Sequence, residues 1–210
     1  MRYSGTQSLI YILSFPVINM AYNIKDVFYL DTSCEIDKTT AGAGSSQLDL
    51  SAYIDPIARG RQKGTGLAVY RVHWSMVDAD NVGKPWDDAE SGTMQAGLIA
   101  GLGTGDTATG DANATSGMFE MGNNLLISTA SWFGPKWGIA NANTPVTAWP
   151  NTTVDPSDEV PYVIVRDNCV LIYKVGENFV SDYTLSVRLE VAQITLDQAT
   201  LNQLLRTQTV

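Results

Sequence analysis

The sequence predicts an all-β fold, an antiparallel β-sandwich that ends in a short C-terminal helix. Three observations carry that expectation. Segments such as Ala68–Met76 and Tyr183–Val191 alternate apolar and polar residues, the period of a strand with one buried face. Charged residues make up only 17% of the chain, below the roughly 25% of ordinary soluble domains, so the Glu- and Lys-rich signature of long surface helices is weak. Thr, Ser, Asn, Gly and Asp carry the polarity instead, and these suit strands joined by turns.

The first stretch, Met1–Tyr22, is of another kind. One Arg precedes an apolar run from Leu9 to Ala21, too short for the about 20 residues of a spanning helix. A signal peptide, a true start at Met20 behind an over-extended reading frame, and a buried β arm are the remaining readings. The last two are preferred, because the positive region is thin, Pro16 interrupts the run and no clean small-x-small site follows. Residues 1–22 are therefore set apart as an extension or arm, and residues 23–210 are expected to form a single β-sandwich domain, since no clear linker divides them.

Val27–Ile36 is rich in β-formers and reads as the first core strand. Gly42 and Gly44 read as a flexible loop. Gln47–Asp55 then sets Leu48, Leu50, Ala52 and Ile54 on one side, a half-buried strand that Pro56 ends because proline cannot donate to a ladder. After Gly64–Gly66, the heavy apolar set Ala68, Tyr70, Val72, Trp74 and Met76 is expected to face the core. Leu67, Val69, Arg71, His73 and Ser75 would face solvent or another subunit. Asp80–Thr93 is a polar loop. Met94–Gly105 reads as a glycine-softened strand or a sheet edge, and Thr104–Ser116 as an exposed loop. Asn123–Gly134 fits a short helix or a strand equally well.

Pro145, Pro150 and Pro156 make Asn141–Glu159 a long connection, with at most an edge strand at Val146–Trp149. From Pro161 onward the order is strand, turn, strand, loop, strand. Asp167-Asn168 suits a tight turn because both types tolerate the left-handed region, and Gly176–Asn178 makes the next reversal. The last strand puts Tyr183, Leu185, Val187, Leu189 and Val191 inward, and Thr184, Ser186, Arg188 and Glu190 outward. Thr195 and Gln198 have capping-box spacing, ahead of a helix whose apolar side holds Leu196, Ala199, Leu204 and Leu205. About eight strands fit, the number of a jelly roll, although their order cannot be read from alternation.

Chemistry is harder to find. With 13 Lys+Arg against 22 Asp+Glu, the net charge of -9 disfavours wrapping nucleic acid, which needs many cations to displace counterions. Arg59, Arg61 and Lys63, the densest positive stretch, read as a solvated loop. Cys34 and Cys169 make no disulfide framework. They read as two buried free thiols, with pairing as the alternative. His73 is the only histidine. It sits mid-strand beside Arg71, reads as hydrogen-bonded or surface, and its replacement by Ala should leave binding or assembly intact. Gly101 and Gly103 are followed by Asp106 where a dinucleotide fingerprint needs glycine, so a glycine-rich strand edge is the better reading.

Asp78, Asp80, Asp87, Asp88 and Glu90 suggest calcium. The EF-hand pattern fails, because Val82 stands at its fifth place and Ala89 at its twelfth. A looser calcium site within Asp78–Glu90 stays behind a solvated acidic loop. Nothing marks two of these carboxylates as a glycosidase pair. Asn113 and Asn151 head glycosylation sequons that matter only in an exported protein. Trp74 is expected in the core. Trp86, Trp132, Trp137 and Trp149 lie in or near loops, as buried anchors in the first reading and as exposed aromatics for a partner or a sugar in the second. No catalytic, cofactor-binding or metal residue is nominated, and no cofactor is expected.

The strands Leu48–Ile54, Ala68–Met76, Tyr162–Val165, Val170–Val175 and Tyr183–Val191, with long polar loops between them, resemble the small single jelly-roll capsid proteins of viruses. The likeness is architectural and rests on no motif. It implies a non-catalytic coat subunit in a virion, partnered by copies of itself and by other coat proteins. Many such proteins carry a basic arm that meets the genome and this chain has none, so the likeness is to shells in which a membrane or another protein lies between coat and genome. The alternative is a secreted or cell-surface β-sandwich that binds carbohydrate or protein. A hydrolase with paired carboxylates ranks last.

Overall fold

The structure, a computed structural model, describes residues 27–38, 42–55, 63–80, 92–101, 119–133 and 151–208. Its strands are β1 (Val27–Ile36), β2 (Ala43–Asp49), β3 (Lys63–Asp78), β4 (Thr93–Ala100), β5 (Leu126–Phe133), β6 (Asn151–Val154), β7 (Tyr162–Ile164), β8 (Asn168–Glu177) and β9 (Tyr183–Asp197), followed by the helix α1 (Gln198–Thr207). They form two antiparallel sheets, β1-β9-β3-β7 and β2-β8-β4-β5-β6.

The pairing is that of one long hairpin rolled up. Its rungs are β1 with β9, β2 with β8, β3 with β7 and β4 with β5. Rolling then lays β9 along β3 and β8 along β4. The result is a jelly roll, two stacked sheets over a shared core, with β6 added beside β5. The expected sandwich and its closing helix are therefore present.

Alternation in β9 places Tyr183, Leu185, Val187, Leu189 and Val191 in the core, each 1% exposed or less. β3 behaves differently. Leu67 and Val69 are buried in the main core, while Ala68 lies in a separate cluster with Ile194, Leu196 and Leu201. A bulge between Val69 and Arg71 leaves Tyr70 without an opposite residue on β9. Beyond it Val72 and Met76 are core residues and Trp74 packs against them. The inward set is thus Leu67, Val69, Val72, Trp74 and Met76. The expected set was right after Tyr70 and inverted before it, because one extra residue flips the face that alternation assigns.

Several local expectations are corrected. Gly44 belongs to β2, and its backbone meets the Tyr173 ring too closely for a side chain. β2 ends at Asp49. Residues 50–54 form a turn in which Tyr53 N–H and Ile54 N–H donate to Leu50 C=O (2.9 and 3.1 Å). Leu50 and Ile54 are buried there as expected, while Ala52 is exposed, since a spacing of four residues satisfies a helical turn and a strand alike. β4 is a central strand between β8 and β5, not an edge. Its Gly97 lets the Phe119 ring pack against the backbone. Within Asn123–Gly134, Leu126–Phe133 is the strand β5 and not a helix. The edge strand of the proline-rich connection lies at Asn151–Val154, and Val146–Trp149 falls outside the described residues.

Asp167-Asn168 is not a hairpin turn. β7 and β8 lie in different sheets, so the chain crosses there, and among the described residues only Gly101 has a positive φ (68°). The capping box is also displaced. β9 runs on to Asp197, whose Oδ1 accepts from Thr200 N–H at 2.7 Å, so Asp197 is the cap. The apolar side of α1 is Leu201, buried on Gly64 and Leu196, with Leu204 and Leu205 beside it, whereas Ala199 is exposed.

Candidate functional site

The outward side chains of β1, β9 and β3 line up in rows fixed by register. Tyr29 lies opposite Glu190, which lies opposite Arg71. Asp31 lies opposite Arg188, which lies opposite His73. Ser33 lies opposite Ser186, which lies opposite Ser75. Because side chains alternate across a strand and neighbouring strands lie about 4.8 Å apart, these rows meet on one face. A shallow depression of about 660 Å³ crosses it.

The rows are bound to one another. The His73 ring donates from Nε2 to Glu190 Oε1 at 2.7 Å. The Arg188 guanidinium sits over the Tyr29 ring, 5.8 Å from its centroid, a cation–π contact. Arg71 pairs with Asp158 at 3.8 Å. Asp155 approaches the same strand and accepts from Val72 N–H and the Ser128 hydroxyl. Burial pushes its carboxyl pKa up, against those bonds and against the pull of His73 and Arg71. Below the face, the indole of Trp74 donates to Ser128 Oγ at 2.9 Å and meets Trp132 edge-on at 5.9 Å. The chemistry available is recognition by hydrogen bonds, charge and one aromatic ring. His73 is thereby placed on the sheet surface, bonded to a carboxylate.

The other residues singled out by sequence fall elsewhere. Trp132 is a core residue of β5, 2% exposed, and not a loop aromatic. Trp86, Trp137 and Trp149 lie outside the described residues, as do Arg59, Arg61, Asp87, Asp88, Glu90, Gly103, Asp106 and Asn113. Asp78 is buried at the end of β3 and accepts from Asp80 N–H at 2.8 Å. Among the described residues no three His, Cys, Asp or Glu side chains gather as metal ligands. Cys34 and Cys169 are free thiols on opposite sheets, each pushed up to about 12 by burial.

Tyr29, Asp31 and Arg188 had not been singled out. Each sits at an outward position of a legible strand, but only the register of strands more than 100 residues apart in sequence brings them together.

Fold and face together define an eight-stranded jelly roll with one added edge strand and a polar depression on its four-stranded sheet. No family model matches the chain, and no curated protein matches it. Among solved structures the chain is similar to Trichodysplasia spinulosa-associated polyomavirus VP1 in complex with GM1 oligosaccharide. That likeness covers 80% of this chain and 94% of the other, at 10% identity and a TM-score of 0.34. So slight a likeness has no bearing on function, and the fold rests on the strand order itself.

Proposed function

We propose that the chain is a structural subunit that assembles with copies of itself, and with other coat proteins, into a viral coat, and that it performs no catalysis. The observation that carries this reading is where the folded chain puts its polar chemistry. Tyr29, Asp31, Arg188, His73 and Glu190 stand on the outer face of a sheet, around a depression that is open to solvent and not an enclosed cavity. An open face of paired charges and one aromatic ring is suited to meeting another surface. The jelly roll is a fold of capsid proteins among others, which supports the reading without deciding it. With a net charge of -9, such a subunit would leave the genome to another component, and its place would be the virion.

Negative-stain microscopy of concentrated purified protein tests the proposal. Rings, sheets or shells are the expected result, and dispersed single particles under every condition would refute it. A second reading, a surface module that binds carbohydrate or protein, is favoured by one feature. Tyr29 is 59% exposed in the midst of hydrogen-bonding groups.

A further inference from the structure

The depression on the β1-β9-β3 face has a short, hydroxylic floor. Ser33, Ser186 and Ser75 lie side by side across the three strands. Along one side stand Asp31, Arg188 and His73, and beyond them Tyr29 and Glu190. Asp31 and Glu190 only accept hydrogen bonds when ionised, Arg188 only donates, and serine and neutral imidazole do both. Two carboxylates beside one guanidinium leave no surplus cation, which disfavours phosphate, sulfate or carboxylate ligands. Opposed donors and acceptors next to an exposed ring suit a ligand that is neutral, dense in hydroxyls and apolar on one side. A pyranose combines these properties, since its C–H face packs on an aromatic ring while its hydroxyls both donate and accept.

We propose that this depression binds a neutral saccharide of about two hexose units, packed against the part of the exposed Tyr29 ring that Arg188 does not cover and hydrogen-bonded by Asp31, Arg188, His73 and Glu190, so that His73→Ala weakens saccharide binding, contrary to the expectation from sequence alone. The dimensions agree. The volume of about 660 Å³ falls within the roughly 300–1,000 Å³ of small-molecule sites. Two inter-strand spacings give about 10 Å from β1 to β3, room for a disaccharide. The Arg188 guanidinium fixes the plane of the Tyr29 ring, and the bond to Glu190 fixes the imidazole, so both are held in place before a ligand arrives. The proposal deepens the second reading above and rests on its premise that this face recognises a ligand. It does not depend on assembly.

Saturation-transfer NMR on the full chain tests it, because the method works for a monomer and for a large assembly. The probes are maltose, cellobiose, lactose and chitobiose, with a sulfated heparin disaccharide as the anionic comparison. Transfer to at least one neutral disaccharide is expected, with no tighter binding of the sulfated one. Tyr29→Ala should weaken that binding tenfold or more. Ser186→Trp, which fills the floor from an outward position, should do the same, and both variants should keep the parent melting temperature. Transfer that survives both substitutions would overturn this placement and leave a binding module standing elsewhere on the chain. Preference for the sulfated probe would overturn the ligand class. No transfer to any probe would overturn the saccharide site, while a module that binds protein would still stand and the coat reading is judged separately by assembly.

Discussion

Asp197 ends β9 and opens α1, and its carboxylate does the work that begins the helix. It accepts from Thr200 N–H at 2.7 Å, satisfying one of the orphan donors of the first turn. That bond and the Thr200 hydroxyl hold its pKa below the ordinary carboxylate range. A depressed folded pKa means that the stabilisation is present above the unfolded value, near 3.9, and is lost as pH falls through the folded value. Asp197→Ala should therefore lower the melting temperature at pH 7, with a deficit that shrinks in acid. An equal deficit at pH 7 and in strong acid would show that the carboxylate charge is not what caps the helix. At this scale the sequence was half legible. A helix start was evident, but Thr195 and Asp197 both offer capping oxygens. Thr195 is the wrong choice because β9 keeps pairing with β3 as far as Asp197, opposite Lys63.

Among elements, β3 shows how far alternation can be trusted. Tyr70 opposes no residue of β9, while Val69 pairs with Val191 and Arg71 with Glu190. Deleting Tyr70 removes the extra residue and leaves both halves of the strand facing as they do now. Deleting Arg188 from β9, which has no bulge facing β1 or β3 at that point, would turn one half of its inward set outward. Thermal denaturation should show a cooperative transition for the Tyr70 deletion and none for the Arg188 deletion, and the reverse order would contradict the register.

β7 raises the related matter of edges. It is the last strand of its sheet, and an unpaired edge invites further pairing. Gln208, 4% exposed, covers it from the end of α1. Its Nε2 donates to Val163 C=O at 2.6 Å and its Oε1 accepts from Val165 N–H at 3.3 Å. Gln208→Ala leaves two backbone groups without those partners and should cost about 2–6 kcal/mol in chemical denaturation, at roughly 1–3 kcal/mol for each orphaned group. A loss below about 0.5 kcal/mol would mean that the edge is sealed by something else. None of this was visible in sequence, where Gln208 is one polar residue in a polar tail. Side-chain pairing with an edge leaves no period behind.

For the whole molecule, the rolled hairpin explains why the strands were legible and their order was not. Alternation is local and marks β1 and β9 well, yet β1 pairs with β9, joining residues as far apart as Val27 and Ala192. The bulge at Tyr70 and the crossing at residues 165–167 likewise leave no local trace. The polar face inherits the same limit, since its rows exist only once register is set.

The two thiols follow from the stacking of the sheets. Cys34 packs against the core from β1 and Cys169 lies within it on β8, and burial raises both to about 12. At pH 8 a thiol with that pKa is ionised to about one part in ten thousand, against about a quarter for a free cysteine near 8.5. Iodoacetamide should leave the native protein unmodified and alkylate both cysteines after denaturation, as mass spectrometry would show. Rapid alkylation of the native protein would contradict the packing.

Sedimentation velocity over a concentration series from micromolar to millimolar tests most directly whether this jelly roll serves as a building block, as proposed. Species larger than the 22.7 kDa chain that grow with concentration are the expected result, and one species of monomer mass at every concentration would contradict the proposal.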